Sequence, residues 1–532
     1  MSLLEVKGLK VDFVGRNGIN HAVDGVDFDV ESGKITAIIG ESGSGKSVAC
    51  YSLLGLIPRP PGKIVAGTAF FEGEDLLQMS EQGLRKIRGA DIAMIFQDPM
   101  TCLNPYMKIG EQLMEPLIFH QNVSRREAKN RALELLEEVG IRDPHTTIDN
   151  YPYEFSGGMR QRVMIAMALI NEPKVLIADE PTTALDVTIQ AQILQLIADL
   201  QKKRNIGVVF ISHDLAVVAD IADKIIVMQN GKVVESGNRA DIFERAQHPY
   251  TQKLLAAIPG GSKKSNANNA DTLIRVTNLC TWFDQGKHHE PLKAVNHVSF
   301  SIKRGEILGL VGESGSGKST IGRSLLRLLP ITSGSVEFAG TDVTALGGRA
   351  LKTMRRRMQM IFQDPYASLN PRMSVYDTLA EPLLLHKISH RKNVEQAVLK
   401  LMDDVGLARH FVRKYPHEFS GGQRQRIAIG RALATQPEFV VADEPVSALD
   451  VTIQAQILDL MLDLGREYGL TMLFISHDLA VVRHIADRIL VLYKGEVVEQ
   501  GNGQALFENP QETYTKQLLS SIPGARHLQT NP

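Results

Sequence analysis

Cysteine, tryptophan and long apolar runs are scarce in this 532-residue chain. The three cysteines, Cys50, Cys102 and Cys280, form no CxxC pair and no metal-ligand spacing, which fits a reducing compartment and excludes a disulfide framework. Apolar runs such as ITAIIG and LGLVG fall far short of the roughly 18–20 residues that a membrane-spanning helix needs. Any membrane attachment is therefore expected through a partner. The opening MSLLEVKGLKVDF carries Glu5, Lys7 and Lys10 where a signal peptide requires an unbroken apolar core, so no export is expected. An excess of one charge is lacking too: 59 Lys and Arg against 60 Asp and Glu imply neither a polyanion nor a charged membrane surface as partner.

What the chain does have, it has twice. GESGSGKS stands at 40–47 and 312–319, IFQDP at 95–99 and 361–365, FSGGMRQR at 155–162 and FSGGQRQR at 419–426. ADEP stands at 178–181 and 442–445, and ISHDLAVV at 211–218 and 475–482. The offsets are 272 for the first motif, 266 for the second and 264 for the rest, so two halves share one order and six extra residues separate the first two motifs of the first half. The tails repeat as well, AQHPYTQKLLAAIP at 246–259 against PQETYTKQLLSSIP at 510–523. Between the halves, GGSKKSNANNADT has the Gly, Ser, Asn and Lys content of a flexible tether. The division is residues 1–259, a linker at 260–272, and residues 273–532.

KITAIIG, EILGLVG, KVLIADE, FVVADE, VVFISH and MLFISH are β-branched apolar runs, as buried parallel strands are. Between them lie helical patterns, such as Val394, Ala397, Val398, Leu401, Met402 and Val405 on one face. Each half is thus expected to hold an α/β core.

GxxxxGK[ST] after a buried strand is a phosphate-binding loop, whose glycines let backbone N–H groups converge on phosphate oxygens at a helix N-terminus. The candidates are Gly40, Ser42, Gly43, Ser44, Gly45, Lys46 and Ser47 in the first half, and Gly312, Ser314, Gly315, Ser316, Gly317, Lys318, Ser319 and Thr320 in the second. The lysine would reach the β and γ phosphates and the serine hydroxyl a magnesium ion. Asp179 and Asp443, at strand ends, are placed to hold that metal or its water, and the adjacent Glu180 and Glu444 to orient and polarise an attacking water. A lone DE after a strand is more often a helix cap, and a lone SGG before basic residues a helix start. Two sets at matched spacing point instead to chemistry.

In combination these motifs resemble the ATP-binding cassettes of the ABC transporter family over essentially the whole chain outside the linker. The resemblance implies two tandem P-loop cassettes, each an α/β core with a helical subdomain carrying the serine–glycine–glycine signature. It further implies that Ser156, Gly157 and Gly158, with Met159 following, and Ser420, Gly421, Gly422 and Gln423 each face the ATP held by the other cassette. Gln97 and Gln363 match the glutamine that links the magnesium site to a membrane partner, Asp186 and Asp450 the loop communicating between cassettes, and His213 and His477 the histidine contacting the γ-phosphate. Phe13 and Phe283 match the aromatic that stacks on adenine, with Trp282 a rival and a core role the plainer reading of a strand aromatic.

DPMTCLNP and DPYASLNP, together with HPYTQKLL, are similar to the oligopeptide/dipeptide importer subfamily, and fusion of two ATPases to its microcin C-type and glutathione-type members. The implied protein is an ATPase with ATP and Mg²⁺ as cofactors, peripheral on the cytoplasmic face of the inner membrane. Its partners would be two permease subunits and, through them, an external peptide-binding protein. ETYTKQLL departs from the tail pattern, which leaves the role of the second tail open, and the scattered cysteines exclude an iron–sulfur centre. The alternative is a soluble twin-cassette ATPase acting on ribosomes; its long charged helical linker is missing here. A nucleic-acid repair ATPase would need zinc modules that three isolated cysteines do not build, and Arg355, Arg356 and Arg357 read as a solvated face.

Overall fold

Strand Ile35–Ile39 shows how each half is layered. All five of its residues are buried; Ile35, Ala37 and Ile39 enter one hydrophobic cluster and Ile38 another, as the two-residue period of a strand dictates. In the second half Ile307 and Val311 enter one cluster and Leu308 and Leu310 the other. The sheet is therefore covered on both faces, which explains why these strands are apolar without alternation.

The computed structural model describes residues 2–15, 18–183, 185–258, 270–286, 290–447 and 449–524. The chain divides into two compact units, Met1–Leu185 with Ile189–Ile258 and Pro523–Pro532, and Asp186–Thr188 with Pro259–Ile522. Residues 260–269 of the expected linker lie outside the described residues.

In the first unit a six-stranded sheet runs in the order Lys232–Asn238, Lys224–Gln229, Ile35–Ile39, Gly207–Ser212, Val175–Asp179, Ile92–Ile95. The pairings are parallel except at the Lys232–Asn238 edge. The second unit repeats the order with Glu496–Asn502, Arg488–Tyr493, Ile307–Val311, Thr471–Ile475, Phe439–Asp443 and Met358–Ile361. A four-stranded antiparallel sheet lies on the other cluster of each unit. Part of the six-residue excess of the first half lengthens the third strand of its antiparallel sheet, ten residues at Gly62–Phe71 against six at Ser333–Phe338.

Helices Ile109–Gln121, Arg125–Glu138 and Gly157–Leu169 pack together in the first unit, and Val375–Leu385, Val394–Asp404 and Gly421–Leu433 in the second. The expected 394–405 face is borne out: Val394, Val398, Met402 and Val405 are buried, with Ala397 and Leu401 packed beside them. No helix among the described residues is long and apolar enough to cross a membrane.

Candidate nucleotide site

The phosphate loops and the glutamine, acid and histidine motifs follow the carboxyl ends of neighbouring parallel strands, which is where open α/β sheets bind ligands. After Ile39 the backbone turns at Gly40, where φ is 150° and a Cβ would lie 2.2 Å from the Met228 carbonyl oxygen; at Gly312 φ is 153° and the obstacle is the Leu492 carbonyl, also at 2.2 Å. Only glycine fits there. Helices Lys46–Leu53 and Lys318–Leu325 then begin at the lysine. Both lysines are buried and fold back over the loop: Lys46 Nζ donates to the Gly40 and Glu41 carbonyls at 2.8 and 2.9 Å, and Lys318 Nζ to those of Gly312 and Glu313 at 2.7 and 2.8 Å. Burial holds Lys318 below its ordinary value.

The loop hydroxyls meet the strand-end acids. Ser47 Oγ donates to Asp179 Oδ1 at 2.9 Å and Ser319 Oγ to Asp443 Oδ1 at 2.7 Å. Both aspartates are buried, and burial pushes both carboxyls above their usual range. Asp443 Oδ2 and the buried hydroxyls of Ser44 and Ser316 have no hydrogen-bond partner among the described residues. A buried acid beside a hydroxyl, with donor capacity unspent, fits a hard divalent cation and the phosphates it accompanies.

Beyond each aspartate the glutamate takes a left-handed turn, φ 46° at both Glu180 and Glu444, and donates its own N–H to the Ile211 or Ile475 carbonyl at 2.9 Å. That backbone costs about 1 kcal/mol or more outside glycine and is maintained by the surrounding bonds. It turns the carboxylate onto the two other motif residues. Gln97 Nε2 donates to Glu180 at 2.8 Å and His213 Nδ1 lies 2.9 Å from it; Gln363 Nε2 and His477 Nδ1 lie 2.9 and 3.2 Å from Glu444. Burial acts against both charges. The bond to Glu180 nevertheless raises His213, and the bond from His213 lowers Glu180; His477 and Glu444 repeat the pattern. An ionised carboxylate held by two donors is suited to orient water and take its proton. The sequence reading assigned the glutamine to metal and the histidine to γ-phosphate, and missed that both converge on the glutamate.

The signature serines cap their own helices. Ser156 Oγ accepts the Met159 N–H at 3.3 Å and Ser420 Oγ the Gln423 N–H at 3.4 Å, while the Gln423 side chain also takes the Ser420 N–H at 3.1 Å. Gly158 and Gly422 lie against helices Val187–Arg204 and Val451–Tyr468, where a Cβ would meet Ile189 at 2.8 Å or Ile453 at 2.3 Å. The Asp450 carboxylate caps the latter helix by accepting the Ile453 N–H at 3.0 Å; Asp186 immediately precedes the former. Phe13 is partly buried opposite Asn20 and Gly62, whereas Phe283, at the end of its strand, pairs among the described residues with Leu292 alone and is 36 % exposed. Trp282 pairs with Lys293, whose ammonium lies 5.3 Å from the indole centre.

Sequence reasoning also missed what stands beside the aspartates. Tyr51 stands beside Asp179, and at the matching helix position Arg323 Nη2 lies 3.9 Å from Asp443 Oδ2. The three cysteines are free, and no group of His, Cys, Asp and Glu among the described residues has a metal-holding arrangement of its own.

Comparison of the sequence with known proteins identifies its relatives. The sequence profile described as "ABC transporter" matches residues 23–183 and 295–447, and that of the "Oligopeptide/dipeptide transporter, C-terminal region" matches 234–282 and 498–531. The glutathione import ATP-binding protein of Pectobacterium atrosepticum is 47 % identical over 98 % of this chain and 90 % of its own length. The protein of the same name from Escherichia coli K12 is 46 % identical, covering all of this chain and 91 % of the relative. Among solved structures, a dimeric ATP-binding cassette bound to ADP and phosphate is 30 % identical, covering 43 % of this chain and 98 % of the other at a TM-score of 0.40.

Proposed function

The chain belongs to the ABC transporter family as an ATPase subunit of the oligopeptide/dipeptide import branch, and from that premise we propose that it powers uptake of glutathione or a chemically similar short peptide. The observation that carries the substrate class is 46–47 % identity to glutathione import ATP-binding proteins along nearly the full length of both partners. The ribosomal alternative has no such support. In this reading residues 1–259 form the first cassette, 260–272 the tether and 273–532 the second. With no spanning helix among the described residues, the subunit works peripherally at the inner face of the membrane, on two permease subunits supplied by an external peptide-binding protein.

ATP and Mg²⁺ suit the residues present. Ser47, Asp179 and Gln97, and Ser319, Asp443 and Gln363, would hold the metal, which when bound neutralises charge between the β and γ phosphates. Lys46 and Lys318 release their loop carbonyls to meet phosphate oxygens. Glu180 and Glu444, ionised by their donors, orient water and accept its proton, while His213 and His477 fix the carboxylate and face the γ-phosphate. Labelled glutathione uptake tests the reading in a strain lacking this subunit, complemented with the wild type or Glu180→Gln. Uptake restored only by the wild type is expected. Unimpaired uptake in the deletion strain would refute glutathione as cargo, and toxic-peptide uptake in the same strain would then identify the cargo class.

A further inference from the structure

The tail helices, Pro249–Ala256 and Thr513–Ser520, reach back to the phosphate loops. Tyr250 Oη accepts the backbone N–H of Glu41 at 3.0 Å, and Tyr514 Oη that of Glu313 at 3.2 Å. The peptide unit held in this way is the one whose carbonyl, Gly40 or Gly312, accepts the loop lysine's ammonium. One end of the Gly–Glu peptide is thus bonded to the lysine and the other to the tail.

Each tail helix is itself anchored to the antiparallel edge strand of its sheet. The Glu235 carboxylate accepts the Gln247 and His248 N–H groups at 2.8 and 3.2 Å, and Glu499 those of Gln511 and Glu512 at 2.9 and 3.1 Å. Of HPYT in the first half and ETYT in the second, only the tyrosine and threonine are common, and the tyrosine is the one that touches the loop. Burial pushes the Tyr514 hydroxyl up to about 12, so it stays neutral and keeps its lone pairs for the amide.

We propose that Tyr250 and Tyr514 are positioning residues, which orient the Gly–Glu peptide and, through its carbonyl, the phosphate-loop lysine, so that each tail sets the nucleotide affinity of its own half. The proposal rests on the reading of the loops as nucleotide sites. It also gives the second tail a role despite its departure from HPYT.

The test uses the full chain with Tyr250→Phe and Tyr514→Phe, which delete one hydroxyl each and keep the ring. MgATP affinity is measured with Lys318→Ala as background for the first site and Lys46→Ala for the second, and amide hydrogen exchange is followed at Glu41, Glu313 and the tail helices. Tyr250→Phe should weaken binding at the first site about 3- to 10-fold, the scale of one neutral hydrogen bond. It should speed exchange at Glu41 and leave the second site and the Pro249–Ala256 amides unchanged. Unchanged affinity together with unchanged Glu41 exchange overturns the proposal. Weakened affinity with fast exchange along the whole tail helix overturns it in favour of general packing. No MgATP binding by the unsubstituted chain would instead refute the nucleotide reading, and the positioning role with it.

Discussion

The two halves carry the same motif groups in different company. Ser47–Asp179 and Ser319–Asp443 agree within 0.2 Å, and so do the glutamine–glutamate contacts. The tail tyrosines agree as well, but several side chains beside these groups do not. Asp179 has a neutral Tyr51 for neighbour, whereas Asp443 has the guanidinium of Arg323. Ser420 caps its helix reciprocally with Gln423; Ser156 has only the outgoing half of that arrangement, because methionine at 159 offers no acceptor. Even an identical structural position is charged oppositely: Lys174 pairs with Glu72 and Asp91, while its counterpart Glu438 pairs with Arg304 and Arg357. Duplication preserves the geometry that reacts and lets the charges that support it drift, since many side-chain sets can hold one backbone turn.

The largest expected effect tests whether both halves hydrolyse. With the permeases in membrane, Glu180→Gln and Glu444→Gln should each lower ATP turnover by about a hundredfold or more, the scale of losing a positioned general base. Near-normal turnover in Glu444→Gln alone would break the equivalence and mark the second site as idle. The charge beside Asp443 should show in metal demand. Arg323 would compete with a cation for that carboxylate, and because its side chain is 45 % exposed the interaction is strongly screened. Arg323→Tyr, measured in a Lys46→Ala background, should lower the magnesium concentration needed for half-maximal ATP binding by about threefold, and Tyr51→Arg in a Lys318→Ala background should raise it. Equal midpoints before and after would show that the guanidinium does not reach the metal.

Met159→Gln should matter less. The Ser156 cap and the glycines are intact, so turnover should change by less than about threefold, under roughly 0.7 kcal/mol of barrier. A larger gain would show that the missing half of the capping box limits catalysis.

The smallest effect concerns the swapped ion pairs, each worth about 1 kcal/mol or less at this exposure. Arg357, then Arg304, holds Glu438 below the usual carboxylate range. Its contribution is therefore complete above about pH 4.3 and lost as pH falls through the depressed value. Glu72, then Asp91, holds Lys174 above its ordinary value, so that contribution is complete below about pH 10.4 and lost as pH rises through the raised one. Glu438→Gln should lower the melting temperature by about 1–3 °C at pH 7 and by nothing in strong acid. Lys174→Met should lose its effect only in strong alkali. Identical pH profiles for the two variants would show that the pairs contribute through packing and not through charge.

By itself the sequence determined the duplication, the phosphate loops, the strand-end acids and the α/β core, because these depend on local backbone chemistry. Gly40 must be glycine where the chain passes 2.2 Å from a carbonyl, and a strand buried on both faces must read as an unbroken apolar run. Only the tertiary structure decided which residues support them. Tyr250 lies 209 positions from Glu41, Gln97 lies 83 from Glu180, and no periodicity joins residues so far apart in the chain. The tail repeat at an offset of 264 was a visible signal that something in it mattered. That its tyrosine meets the phosphate loop follows from the order of the strands, which sets the tail's anchoring strand two places from the strand that launches the loop. Phe13 and Phe283 make the same point. They are one letter at matching positions, yet the longer third strand covers the first and leaves the second at a strand end, since burial is decided by what packs alongside a residue.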